Sequence, residues 1–182
     1  MTKNSTHRWL VLTQYYAPEV GAPQIRLRSV VRELQRHGVQ VEVLTAMPNY
    51  PAGRVFPAYR GRWSVREEID GVPIRRTWIF AGTGKSARVR LTNYLSFTFT
   101  ALFAVLLGPK PDLLFVESQP LSLGVVAVLL KWLKGVDYVY NVPDLQIDVA
   151  KQMGFLRNGP LLRAALRLEN YVIRHSANDQ PI

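Results

Sequence analysis

Residues 9–40 read WLVLTQYYAPEVGAPQIRLRSVVRELQRHGVQ. Trp9 to Thr13 is a short apolar run rich in β-formers, and the loop after it carries Pro18, Gly21 and Pro23, so a strand stops there. Pro23 suits the first turn of a helix. Leu27, Val30, Val31 and Leu34 then recur at i, i+3, i+4 and i+7, and Gly38 stands where a left-handed cap would close that helix. Val39 to Thr45 follows as a second strand. A β-loop-α-β unit of this kind builds parallel sheets whose ligands lie at the carboxyl ends of the strands, which makes Gln14 to Pro23 the first candidate site.

The chain has 182 residues, 48% of them apolar, enough for one domain with a substantial core. Its formal charge of +10 points to a polyanionic partner: nucleic acid, an anionic membrane surface or phosphate-bearing substrates. There is no cysteine, which excludes disulfides and thiolate metal sites. The polar start MTKNSTHR leads into an apolar run too short for a signal-peptide core, so export is not expected.

Beyond Thr45, AMPNYPAGRVFPAYRGRW has neither helical nor strand period and reads as a long loop. Asp70-Gly71 is a turn signal between two short segments of Ser64 to Phe80, which predicts a hairpin or strand pair at a sheet edge. From Arg54 to Arg90 nine basic residues face three acids, concentrating +6 of the charge mid-chain. Leu91 to Gly108 holds eighteen residues without a charge. That length raises a membrane span, but Thr92, Asn93, Ser96, Thr98 and Thr100 in its first half argue against one. A helix in the core and a helix lying on a lipid surface, its basic ends Arg88, Arg90 and Lys110 against anionic headgroups, both remain open.

Asp112 to Glu117 is an apolar run ending in a carboxylate, as in a strand buried on both faces. Leu121 to Leu133 is an apolar helix closed by Lys131, Lys134 and Gly135, and Asp137 to Val142 is a further strand stopped by Pro143. Pro160 to Arg174 sets Leu161, Ala165, Leu168 and Val172 on one helical face and Arg163, Arg167, Asn170 and Arg174 on the other. Such a basic stripe is usually a solvated face, and it could equally rest on phosphates or on a second domain. Five strands alternating with helices predict a Rossmann-like, doubly wound, mostly parallel α/β sheet with right-handed crossovers.

Ala81 to Ser86, AGTGKS, imitates a phosphate-binding loop. It fails on spacing, because Ile79 stands where the required first glycine would be, and it reads as a flexible basic loop. The dinucleotide fingerprint is absent too. In the loop before the first helix, Gly21 and Ala22 could instead lie under a diphosphate at the helix amino terminus, worth about 0.3 to 1 kcal/mol, or form an ordinary tight turn. For the carboxylates Glu117 and Asp144, a catalytic role stands beside helix capping or a surface ion pair.

YYAPEVGAPQIRLRSVVRELQRHGVQVEVLTAMPNYPAGRV, IDGVPIRR, the Arg88 to Phe97 segment and YNVPDLQIDVAKQMGF together resemble the amino-terminal half of bacterial glycosyltransferases of family 4, and are similar to its colanic-acid and exopolysaccharide members. The resemblance implies one half of a GT-B architecture, over residues 1–176, with 177–182 a short tail and a separate carboxyl-terminal domain binding the nucleotide sugar. It implies a retaining transfer from a nucleotide-sugar donor, without a metal or further cofactor, to a lipid-linked or polysaccharide acceptor at the cytoplasmic face of the plasma membrane. Asp144 and Glu117 are then the catalytic candidates. Gly21, Ala22, Gln24, Arg26, Asn49, Tyr50 and Gln119 are the substrate-binding candidates, and Arg88, Arg90, Arg163 and Arg167 the basic surface toward membrane. Ala22 departs from the doubled glycine common in the family. The isolated chain is expected to be inactive. The competing class is a non-catalytic basic module on anionic membrane or nucleic acid, though Arg54 to Arg90 lacks the aromatic interleaving of a single-strand platform.

Overall fold

The structure, a computed structural model, describes residues 7–84, 86–142 and 160–177. β1 (Arg8–Leu12) lies at the centre of a six-stranded sheet. On one side it pairs in parallel with β2 (Gln40–Ala46), which pairs in parallel with β4 (Val72–Thr77); on the other it pairs with β5 (Leu113–Glu117), and β5 with β6 (Asp137–Asn141). β3 (Ser64–Ile69) is antiparallel to β4 and closes one edge, so the order is β3-β4-β2-β1-β5-β6. The sheet has one strand more than the five expected, because both arms of the Asp70-Gly71 hairpin join it. Asp70 and Gly71 have φ of 55° and 73°, the left-handed pair that a two-residue hairpin turn needs.

Side chains alternate across the sheet, which sorts the core into two layers. Val11, Val43, Val72 and Ile74 meet Leu27 and Val31 of α1 (Ala22–Arg36) on one face. On the other, Leu10, Leu12, Leu44, Leu114 and Val116 meet α2 (Ala87–Leu107) and α3 (Leu123–Lys134), and Val172 of α4 (Pro160–Arg174) joins that cluster. Each fully buried Leu or Val contributes about 1.5–3 kcal/mol. The expected caps are in place: Gly38 follows α1 at φ 80° and Gly135 follows α3 at φ 61°. Arg28 and Arg32 of α1 both donate to the Asp70 carboxylate, tying the helix to the hairpin turn and holding that carboxyl below its usual range.

Two of the nine mid-chain basic residues are not surface. Arg75 is 8% exposed and Arg76 0%. The Arg75 guanidinium donates to the Ala104 carbonyl of α2 at 2.9 Å, and its Nε lies 3.2 Å from Glu42 Oε1, close enough for an ion pair though not aligned for a hydrogen bond. Arg76 donates to Glu67 Oε1 at 2.5 Å and to the carbonyls of Ala46 and Ala17, and lies over the Tyr59 ring. Among the described residues the mid-chain charge therefore divides into a structural pair and an exposed remainder. A buried guanidinium is tolerated where acceptors surround its planar fork of donors.

Candidate functional site

The carboxyl ends of the parallel strands gather the loops after β1, β2, β4 and β5 along one edge, and open α/β sheets bind ligands there. The site residues expected from the sequence separate into two groups on this edge. One lies where the chain order reverses, between β1 and β5. Arg26, in the second turn of α1, donates through Nη2 to both oxygens of Glu117 at 3.0 and 3.1 Å, and Asn141 Nδ2 donates to Glu117 Oε1 at 2.8 Å. Burial pushes the Glu117 carboxyl above its ordinary value, against the Asn141 hydrogen bond and the Arg26 charge. A carboxylate engaged on both oxygens is suited to orienting Arg26, whose guanidinium stays part-exposed at the edge.

Gly21 caps α1 in extended backbone, φ −176°, a conformation open to any residue. A Cβ there would meet Gln24 Oε1 at 2.5 Å, the end of a flexible amide, so it is the Gln24 side chain that crowds this position. Gln24 is buried, and its Oε1 has no hydrogen-bond partner among the described residues. Ala22 is exposed at the first helical position, and Gln119 follows Ser118 in the loop after β5, half-buried.

The second group surrounds a cavity of about 270 Å³ lined by Tyr15, Asn49, Tyr50, Gly53, Asn93 and Tyr94, together with Arg90 at the start of α2. Tyr15 and Tyr50 meet edge to face, centroids 5.9 Å apart. Burial keeps the Tyr15 phenol far above its ordinary range, so it is a neutral hydrogen-bonding group at neutral pH. Gln14 Nε2 donates to Asn93 Oδ1 at 2.7 Å and Asn93 Nδ2 to the Phe80 carbonyl at 2.8 Å, fixing the floor to α2. A larger cavity, about 460 Å³, opens at the opposite edge of the sheet between Arg8, Gln40 and Pro109, away from the strand ends that carry the loops.

Glu19, which the sequence did not single out, ties the loop after β1 to the loop after β2. Its side chain is buried and accepts from three backbone N–H groups: Asn49 at 2.7 Å, Tyr50 at 2.8 Å and Tyr16 at 3.2 Å. Burial raises its carboxyl, and those three bonds oppose the rise. A lone acid inside the apolar, proline-bearing loop of residues 15–23 was the available signal. Gly53 was also missed, and here glycine is obligatory: φ is 63°, and a Cβ would lie 2.6 Å from the Gly82 carbonyl oxygen. Gly82 in turn packs on Val89, so this part of the AGTGKS loop is a packed wall of the cavity, not a flexible basic loop.

Asp144, with most of YNVPDLQIDVAKQMGF, lies outside the described residues. Arg88 and Arg90 are exposed at the start of α2, whereas Arg163 and Arg167 are exposed on α4, which packs on α3.

The comparisons agree with this architecture. The catalytic domain of starch synthase IV from Arabidopsis thaliana, bound to ADP and acarbose, superposes with a TM-score of 0.50 at 17% identity, over 74% of this chain and 33% of that one. That likeness concerns the fold. The putative colanic acid biosynthesis glycosyl transferase WcaI of Escherichia coli (strain K12) is 25% identical over 146 residues, 79% of this chain and 36% of the relative. The chain thus spans about a third of the length of either protein. The model of the glycosyl transferase 4-like domain matches residues 21–178, from the cap of α1 past the end of α4, and the chain belongs to that family.

Proposed function

We propose that the chain is the acceptor-binding half of a retaining glycosyltransferase that moves a sugar from a nucleotide-sugar donor to a lipid-linked or polysaccharide acceptor in cell-surface polysaccharide synthesis, at the cytoplasmic face of the bacterial plasma membrane. The observation that carries this reading is the cavity at the carboxyl edge, walled by the loops after β1, β2 and β4 and by α2, on the same edge of the sheet as the Arg26–Glu117–Asn141 cluster. Tyr15, Asn49 and Tyr50 offer the aromatic and polar lining that a saccharide needs. Gly21 and Ala22 stand at the amino terminus of α1, which favours a donor diphosphate, with the buried Gln24 amide and Arg26, held in place by Glu117, on the same helix. The ADP of the starch synthase domain and the name of the E. coli relative agree with this choice of substrates. Donor binding falls to a second Rossmann-like domain facing this edge, because transfer depends on positioning both substrates.

Titrating residues 1–182 with a short-chain polyprenyl diphosphate saccharide, followed by calorimetry, tests the assignment. Binding is expected, with Tyr50→Ala weaker by about tenfold, equivalent to about 1.4 kcal/mol of lost ring contact. Incubation with nucleotide sugars is expected to give no transfer. Turnover by this chain alone would overturn the two-domain reading. In a two-domain form, Asp144→Asn is expected to lower turnover by about 10²-fold with donor binding intact if Asp144 takes the acceptor proton.

A further inference from the structure

α2 is apolar on both sides. Its inner face, Asn93, Phe97, Ala101 and Val105, is buried, and Thr100 donates to the Trp78 carbonyl while Thr98 meets Ser122 of α3. Its outer face carries Leu91, Leu95, Phe99, Phe103 and Leu107 at a spacing of four, and these are exposed by 48% at Phe103 to 84% at Leu107. Only 17% of its most apolar 18-residue window is buried, although the helix is long and apolar enough to cross a membrane. A soluble domain gains nothing from facing such a stripe to water, since a surface helix ordinarily turns polar residues outward. The inner face belongs to the fold, so a crossing would tear the helix from its sheet. A position in the plane of a bilayer satisfies both faces.

Charge selects the occupant. Arg88 and Arg90 precede the stripe and Lys110 follows it, so two copies paired through α2 in either direction would set cations against cations. Beside the stripe, where Ser96 Oγ accepts from the Phe80 amide, a groove of about 540 Å³ is lined by Arg54, Arg60 and Arg62 with Trp78 and Phe80. Arginines next to an apolar ridge suit phosphate headgroups above acyl chains. Tyr94 lines the 270 Å³ cavity and is exposed on the same helix, so that cavity opens at the end of the stripe.

We infer that α2 is an in-plane membrane helix: Leu91, Leu95, Phe99, Phe103 and Leu107 enter the headgroup and acyl boundary of an anionic bilayer, Arg54, Arg60 and Arg62 hold lipid phosphates, and the cavity at its amino end meets the head of a membrane-borne acceptor. The last element rests on the acceptor-binding reading; the bilayer contact does not.

Flotation of residues 1–182 with equimolar phosphatidylcholine and phosphatidylglycerol vesicles, and with phosphatidylcholine alone, tests it. Binding to the anionic vesicles is expected, weakened by added salt. Phe99→Ser/Phe103→Ser should reduce partitioning by roughly 100-fold, about tenfold per ring returned to water. Arg54→Ser/Arg62→Ser should reduce it roughly fivefold per charge. Circular dichroism spectra should show both pairs folded, with Phe99→Ser/Phe103→Ser melting a few degrees lower because it loses the edge-to-face ring pair, centroids 4.7 Å apart. A chain that stays in the aqueous phase at low salt, a folded Phe99/Phe103 variant that binds as tightly as wild type, or a dimer held by the stripe in place of vesicle binding would overturn the inference. No donor or turnover enters the assay, so such a failure leaves the glycosyltransferase reading standing, and failure of saccharide binding leaves the bilayer contact standing.

Discussion

Replacing Glu19 by alanine tests how the candidate site is held together. The carboxylate is 3% exposed and takes N–H bonds from Tyr16, Asn49 and Tyr50. Alanine leaves these donors facing an empty space. Each unsatisfied buried N–H costs about 1–3 kcal/mol, and the part-buried Tyr50 amide recovers a water, so the total is about 3–5 kcal/mol. For a domain of this size each kcal/mol moves the melting temperature by about 2–4 °C, which predicts a fall of about 6–20 °C. Glu19→Gln keeps an acceptor for the two shorter bonds and loses the third, a cost of about 1–2 kcal/mol. The pH dependence supplies a second check. Burial raises the Glu19 carboxyl, so the native state holds this proton more tightly than the unfolded chain, and the associated stability is full below the unfolded value and lost as pH rises through the folded value. A permanently neutral glutamine escapes that loss, so its deficit against wild type should shrink from about pH 4 to pH 7. Far-ultraviolet circular dichroism melts of the three proteins measure both effects. An alanine variant melting within about 3 °C of wild type would refute the idea that one carboxylate clamps the two loops.

Three further outcomes are expected. Glu117→Gln should be neutral or stabilising at pH 7, since burial raises that carboxyl too and the native state already disfavours its charge; the advantage should vanish as pH falls below the unfolded value, and a denaturant-measured loss of more than about 1.5 kcal/mol at pH 7 would contradict the assignment. Gly53→Ala should destabilise by about 1–2 kcal/mol from its left-handed backbone alone, with more from the 2.6 Å approach to the Gly82 carbonyl, and should weaken saccharide binding in calorimetry; Gly38→Ala, whose added Cβ meets nothing within 4 Å, is the control for the backbone part. Arg76→Met should cost about 3–5 kcal/mol in urea unfolding, because Glu67 loses the cation that lies 2.5 Å away.

The frame of the domain was legible from Trp9 to Gln40 because a buried central strand, a proline-opened helix and a glycine cap each carry a local signal. The Asp70-Gly71 turn announced the hairpin for the same reason, though not that both arms would join the sheet. What escaped the sequence was partnership. Arg75 and Arg76 count as surface charge until Glu42, Glu67 and three carbonyls are brought around them. Glu19 looks like any loop acid until Asn49 and Tyr50, thirty positions on, present their amides. For α2 the choice between core and surface could not be made from periodicity, since residues on both faces are apolar; in the fold Phe97, Ala101 and Val105 are buried while the Leu91 to Leu107 stripe is exposed.

Arg76 has a reach that its distance from any substrate conceals. Its single rigid fork takes the Ala46 carbonyl at the end of β2, the Ala17 carbonyl in the loop after β1, and Glu67 on the outermost strand. The spacing between the two loops is therefore gauged from the rim of the sheet. Lysine, a point charge on a flexible stem, cannot span that triangle. A change in the β3–β4 hairpin can thus widen or narrow the mouth of the cavity without touching a residue that lines it, leaving its shape open to adjustment from the outermost strand.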